Sequence, residues 1–232
     1  LGDVRAVVLD EADEMLDMGF KDELEGILEA TPEDRHTHMV SATFPREVLS
    51  LARKYQRDAV TVEGTSIREA NQDITHIAHD LRMGDKLDAT VNILLANPGE
   101  RTLIFVRTRA MCSQLAGDLS GLGFRASPLS GEMSQRDRTM TLESFRSGQT
   151  QVLVATDVAA RGLDIQDVLR VIHYDLPENA ESFTHRSGRT GRAGAKGESI
   201  MFIPPGGRRR TESLLRRSRI EPTWKKVPGP DE

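Results

Sequence analysis

Apolar residues in this chain gather in short runs bounded by turn residues, and between the runs they recur at three- and four-residue steps. Short runs rich in Val, Ile and Leu predict strands, and the wider spacing predicts amphipathic helices. VRAVVLD (4–10), HMVSAT (38–43) and AVTVE (59–63) form a first series of strands, with helices near 21–30 and 45–54 between them. The pattern lapses over EGTSIREANQD (63–73), a polar stretch with a glycine and no apolar period, which predicts a linker. A second series follows: ITHIAHDL (74–81), TLIFV (102–106), RASPL (125–129), QVLVAT (151–156), RVIHY (170–174) and ESIMFI (198–203). Helices near 84–96, 109–121, 134–146 and 179–187 separate those strands. Strand alternating with helix predicts an α/β protein whose parallel sheet is covered on both faces. Ligands of such sheets bind at the carboxyl ends of the strands, which is where the chemistry is sought.

Composition alters this picture little; charge alters it more. At 232 residues, 38% hydrophobic and 29% charged, the chain is ordinary for a globular protein of one large or two smaller domains. The single cysteine, Cys112, excludes an internal disulfide, suits a reducing compartment, and reads as a small buried side chain. No run approaches the roughly 18 apolar residues of a membrane span, and the expected location is cytoplasmic. The net charge of −5 argues against a nucleic-acid partner until its distribution is considered. Residues 1–64 hold 7 Lys/Arg against 15 Asp/Glu, residues 65–205 hold 16 against 17, and residues 206–232 hold 8 against 4. The acid lies at the front, which leaves room for a basic groove farther along.

Several strand ends carry chemistry. VVLDEAD puts Asp10 and Glu11 at the end of an apolar strand, where nucleotide hydrolases keep a carboxylate for Mg²⁺ and a neighbour can polarise water. Charges meeting solvent at a strand end explain the same residues, and Asp13 and Glu14 also suit a first helical turn. In SATFP (41–45), Ser41 and Thr43 read either as helix caps before Pro45 or as hydroxyls bonding the carboxylates of the neighbouring strand. ATDVAARGLD (155–164) offers Thr156, Arg161, Gly162 and Asp164, either as a phosphate and sugar site or as a polar loop with an ion pair. SGEMSQRDR (130–138) is either a phosphate site at a helix start or a helix capped by Ser134. HRSGRTGRAG (185–194) sets Arg186, Arg189 and Arg192 three residues apart, and guanidiniums on one edge suggest an anion.

In this order, DEAD (10–13), SAT (41–43), LIFVRT (103–108), GEMSQRDR (131–138), ATDVAARGLD and HRSGRTGRAG resemble motifs two, three, four, four-a, five and six of the DEAD-box RNA helicases. The resemblance covers about residues 4–203, and its wording is similar to bacterial members. It implies tandem RecA-like parallel-sheet domains, the first incomplete: residues 1–64 as the C-terminal part of the first, 65–73 as linker, 74–205 as the second, and 206–232 as a basic tail.

The resemblance implies ATP and Mg²⁺ as cofactors, with RNA-stimulated hydrolysis driving local strand separation as the two lobes close. Asp10 would hold Mg²⁺ through water, Glu11 would orient the hydrolytic water, and Asp13 would bond to the Ser41 and Thr43 segment. Asp164 would bind the ribose, Arg189 and Arg192 would reach the γ-phosphate, and His185 would couple that site to RNA. Thr108, Gly131, Arg138, Thr156 and Gly162 would lie along the RNA backbone, single-stranded or short duplex, with little sequence preference. Phe105 would pack beneath the arginine segment, and Ser187 stands where the family more often has an aliphatic residue. The family's phosphate loop, GxxxxGK followed by Ser or Thr, occurs nowhere in the 232 residues, so the expectation is a piece of a helicase that is inactive alone. The alternative is a non-catalytic module that binds RNA or a helicase. In the basic tail, Leu214, Leu215 and Ile220 suit a helix packed on the second domain, the alternative being a free RNA-binding arm, and protein partners are expected through this C-terminal extension.

Overall fold

A computed structural model describes residues 1–41, 43–62, 73–160, 165, 168–191, 195–218 and 220–229. The chain divides into two compact units, Leu1–Gly64 and Thr65–Glu232.

In the first unit, β1 (Ala6–Leu9) leads into helices α1 (Ala12–Asp17) and α2 (Lys21–Glu29), and β2 (His36–Met39) leads into α3 (Arg46–Tyr55). The two strands are parallel, with Ala6 opposite His36 and Leu9 opposite Met39. Leu9, Ala12, Leu16, Leu24, Leu28, Val48 and Leu51 form one core. The second strand lies two residues earlier than HMVSAT predicts, because pairing with β1 selects His36–Met39. Just beyond it, Val40 N donates to Leu9 O and Val40 O accepts from Ala12 N, which steers Ser41 toward the start of α1. The strand expected over AVTVE is absent from its described residues, 59–62, where Val60 and Val62 stand exposed. An apolar alternation becomes a strand only when another strand takes its backbone groups, and none of the described strands lies beside it.

The second unit is built on β3 (Ile74–Asp80), a 3₁₀ turn (Met83–Asp85), α4 (Lys86–Leu95), β4 (Thr102–Phe105), α5 (Arg109–Gly121), β5 (Ala126–Leu129), α6 (Gln135–Arg146) and β6 (Val152–Ala155). It continues through α7 (Asp157–Ala160), β7 (Arg170–His173), α8 (Ala180–Ser187), β8 (Gly197–Ile203), α9 (Arg208–Arg217) and β9 (Thr223–Trp224). The seven strands are all parallel, in the order β5-β6-β4-β7-β8-β3-β9. Strand periodicity sends alternate residues to opposite faces. Ile104, Val154, Ile172 and Ile200 pack with α4 and α5 on one side, while Leu103, Phe105, Leu153 and Val171 pack with Leu142 and Phe145 of α6 on the other. Covering both faces is why these strands read as unbroken apolar runs.

The described part of 206–232 is folded into this unit. Leu215 and Ile220 are buried against Ala78, Phe183, Met201 and Ile203, and Trp224 pairs with Ala78 as β9 extends the sheet. The Arg208 guanidinium lies 4.1 Å from the centre of the Trp224 ring, which occupies the indole face. Cys112 is fully buried, its Sγ 3.0 Å from Val154 O, and burial pushes its thiol pKa up.

Candidate nucleotide and RNA sites at the strand ends

Asp10 ends β1 exposed to solvent, its Oδ1 accepting from Glu11 N at 3.0 Å. Glu11 adopts φ 52° and ψ 46°. This left-handed conformation costs a residue with a Cβ about 1–2 kcal/mol, and here it turns the chain off β1 and straight into α1. Two residues on, Asp13 is 1% exposed. Its Oδ2 accepts from Thr43 N at 2.8 Å and Thr43 Oγ1 at 2.7 Å, while Ser41 Oγ accepts from Asp13 N at 3.2 Å and donates to Thr43 O at 2.7 Å. Burial alone raises the Asp13 pKa; the hydrogen bonds from Thr43 and Ser41 outweigh it and hold the carboxyl below the usual range. Helix α3 begins at Arg46 after Pro45 at the cap position, with no side-chain cap, so of the two readings of SATFP the structure takes the carboxylate-bonding one.

In the arginine segment, the anion for the first arginine lies inside the chain. Arg186 is 4% exposed. Its Nε and Nη2 donate to Asp157 Oδ1 and Oδ2 at 2.6 and 2.7 Å, and its Nη1 donates to Asp175 O at 2.7 Å. The guanidinium also stacks 5.0 Å over Phe105, so Phe105 lies beneath the segment as well as in the core. A planar fork bonded on three sides is a structural part, and a lysine ammonium, a point charge on a single nitrogen, cannot place its donors in that bidentate and stacked geometry. Arg189 follows α8 in a turn, half-buried, and His185 sits half-buried in the last turn of α8. Arg192, with Gly162 and Asp164, lies outside the described residues. Gly191 has φ 67°, and a Cβ there would stand 2.4 Å from Ile74 Cγ1, so this glycine serves a close approach of backbone to β3.

Ser187 is buried, with its Oγ 2.9 Å from Ser199 Oγ and 3.3 Å from His173 Nε2. Its departure from an aliphatic residue therefore has polar partners. Burial, then the nearby Arg186 and His76, push the His173 pKa well below that of an ordinary histidine.

The RNA candidates gather on the strands β5, β6 and β4, which are sheet neighbours. Thr108 follows β4, exposed, and its Oγ1 caps α5 by accepting from Met111 N at 3.2 Å. Gly131 follows β5 with open space around it. Thr156 follows β6, buried, and its carbonyl starts α7 by accepting from Ala159 N and Ala160 N. Arg138, half-buried on α6, donates to Ala159 O at 2.7 Å, which ties the β5 loop's helix to the β6 loop. Ser134 does cap α6, its Oγ accepting from Asp137 N at 3.1 Å.

Sequence reasoning missed the residues that join these loops. Asp175 Oδ2 accepts from Arg107 N at 2.9 Å, next to Thr108, while its carbonyl holds Arg186. Its Oδ1 accepts from Lys86 Nζ at 2.9 Å, and Lys86 is itself buried and donates to Tyr174 O. Asp175 immediately follows the apolar RVIHY run, so its strand-end position was a signal available in the sequence; nothing marked Lys86 as buried.

Both units are parallel-sheet α/β units whose candidate chemistry lies at the carboxyl ends of the strands, an acid–hydroxyl lock in one and arginine and hydroxyl loops in the other. Residues 1–51 match the DEAD/DEAH box helicase family and residues 85–194 the helicase conserved C-terminal domain. The chain is 40% identical over 197 residues to the ATP-dependent RNA helicase DbpA of Bacillus subtilis, covering 85% of this chain and 41% of that protein. It is 32% identical to Saccharomyces cerevisiae Dbp5 in a structure bound to RNA and ADP BeF3, with a TM-score of 0.87, covering 98% of this chain and 61% of that one. The Escherichia coli DEAD-box protein SrmB, solved bound to regulator of ribonuclease activity A, is 35% identical with a TM-score of 0.60, over 66% of this chain and 91% of that one. The chain belongs to the DEAD-box RNA helicase family, and its sheets are those of RecA-like helicase domains. It spans about two-fifths of the length of the curated relative. Among the described residues, no helix is long and apolar enough to cross a membrane.

Proposed function

We propose that the protein carrying this chain is an ATP-dependent RNA helicase whose ATP hydrolysis is stimulated by RNA and coupled to local duplex unwinding. The observation that carries the proposal is the Asp13–Ser41–Thr43 lock, which joins the acidic loop after β1 to the segment after β2. A change at the nucleotide is thereby felt at a second strand end. Asp10 is the Mg²⁺ residue: its carboxylate is exposed, and among the described residues only its Oδ1 is engaged, by a backbone amide, which suits a hard cation held through water. Mg²⁺, when bound, neutralises charge on the phosphate oxygens. Glu11, turned out of β1 by its left-handed backbone, orients the attacking water as general base. Arg189 and Arg192 supply positive charge to the γ-phosphate, Asp164 takes the ribose, and His185 relays between nucleotide and RNA. Thr108, Gly131, Arg138, Thr156 and Gly162 follow the sugar–phosphate backbone of single-stranded or short duplex RNA, which gives affinity with little sequence preference. A cytoplasmic location and protein partners at the C-terminal segment belong to the same proposal.

The 232-residue chain contains no phosphate loop, and this favours a second reading for the isolated chain: it binds RNA without turning over ATP. ATP hydrolysis, with and without single-stranded RNA, tests both readings in the full-length protein and in this chain. The full-length protein is expected to show RNA-stimulated turnover that Glu11→Gln lowers by about 10²-fold or more, and this chain is expected to show none above its own Glu11→Gln variant. Turnover by the full-length protein that ignores RNA, or survives Glu11→Gln, would sink the helicase proposal.

A further inference from the structure

Helix α9 carries a charge pattern that the strand-end loops do not use. Thr211 and Leu215 are buried on its inner side. Its outer side presents Arg209, Glu212, Ser213, Arg216 and Arg217, whose spacing of three, four, seven and eight residues makes one continuous stripe. These five line an open depression of about 390 Å³. Glu212 accepts from Arg208 Nε at 3.0 Å, so part of its negative charge is already answered within the helix. Arg209, Arg216 and Arg217 are exposed, and no hydrogen bond or ion pair joins their side chains to a described residue. At about 1.5 Å of rise per residue, Arg209 and Arg216 stand roughly 10 Å apart along the helix.

Three exposed guanidiniums with no described partner, on a chain whose net charge is −5, form a local positive field that can take an anionic ligand. The depression has no apolar side chain in its lining. Protein interfaces centre mostly on desolvated aromatic or Arg anchors in well-packed pockets, and this open, wholly polar lining offers no such pocket, whereas a nucleic-acid backbone is met by spaced, exposed donors. The stripe is also displaced from the loops assigned to RNA above. Helix α9 packs on β3 and β8. In the sheet order β8 lies two strand spacings from β4 and three from β6, roughly 10 and 14 Å.

We propose that the Arg209–Arg216–Arg217 stripe of α9 is a second, nucleotide-independent surface for the RNA sugar–phosphate backbone, holding RNA that flanks the segment at the strand-end loops. It goes beyond the helicase proposal and takes from it only the choice of RNA as the polyanion.

The test is binding of a fluorescein-labelled oligouridine of about twenty nucleotides, by anisotropy without nucleotide, between roughly 50 and 200 mM salt. Arg209→Gln/Arg216→Gln/Arg217→Gln is expected to weaken binding about tenfold or more and to make the slope of log K against log salt shallower by about 2, three single-strand phosphate contacts' worth. The corresponding triple Arg→Lys variant keeps most of that slope, since it keeps the charge. Melting temperatures stay unchanged, because the three side chains bond to nothing described. Wild-type slope and affinity in the triple Gln variant would overturn the proposal, as would failure of the unmutated protein to bind the oligouridine. Stripe-dependent binding of polyglutamate without RNA would overturn it in favour of an acidic protein partner. Loss of the helicase proposal reads out separately, as absent ATP turnover with this RNA slope intact.

Discussion

Asp13 shows how much one buried carboxylate can organise. Its Oδ2 holds both the amide and the hydroxyl of Thr43, and hydrogen bonds to a charged acceptor are worth about 1.5–3 kcal/mol each where burial keeps water away. Asp13→Asn keeps the size and loses the charge, and it is expected to destabilise the first unit by about 2 kcal/mol in urea unfolding. The pH dependence has a definite sign. The folded-state pKa lies below the ordinary carboxyl value, so the contribution is complete above that ordinary value and disappears as pH falls through the folded-state one. Asp13→Asn should therefore flatten the acid limb of the first unit's stability profile, and an unchanged limb would show that another group carries it. The pairing of Asp13 with the Ser41 and Thr43 segment was readable as one of two options, since both follow apolar runs predicted to be strands. Only the parallel pairing of β1 with β2, which brings the two strand ends side by side, decided against capping.

At the scale of elements, α8 is held by its first arginine. Arg186 ties it to Asp157 after β6, to Asp175 after β7, and to the face of Phe105 in β4. Arg186→Lys is expected to cost about 2–3 kcal/mol in the second unit's unfolding free energy, because a point charge cannot replace the bidentate pair and the stack, and Asp157 is left poorly matched. On the proposed function, RNA affinity should fall with it, since Asp175 also holds the Arg107 amide next to Thr108. An unfolding curve superimposable on that of the unmutated protein would remove Arg186 from this role. The even spacing of three arginines in HRSGRTGRAG made them look alike. Nothing local distinguished them, because the carboxylate that claims Arg186 lies 29 residues away in sequence.

At the scale of the whole molecule, the second unit closes its sheet with residues from the end of the chain. Thr223 and Trp224 cover the β3 edge and Ile220 seals the core beneath α9. Removing residues 219–232 is expected to cost about 2–3 kcal/mol from lost burial and strand pairing, which lowers Tm by roughly 5–10 °C. The uncovered edge should also promote concentration-dependent association in sedimentation. A truncated chain that melts like the intact one and stays monomeric would show that β9 contributes nothing. The sequence by itself determined the alternation of strand and helix, the order of the motifs and the family they resemble. Those follow from periodicity and residue type, which are local. Tertiary structure alone decided that residues 59–62 pair with no described strand, that Arg186 faces inward while the α9 arginines face solvent, and that Lys86 is buried beneath Asp175. Each of these depends on which groups distant in sequence take up a backbone donor, a charge or an apolar face, and no local pattern encodes that pairing.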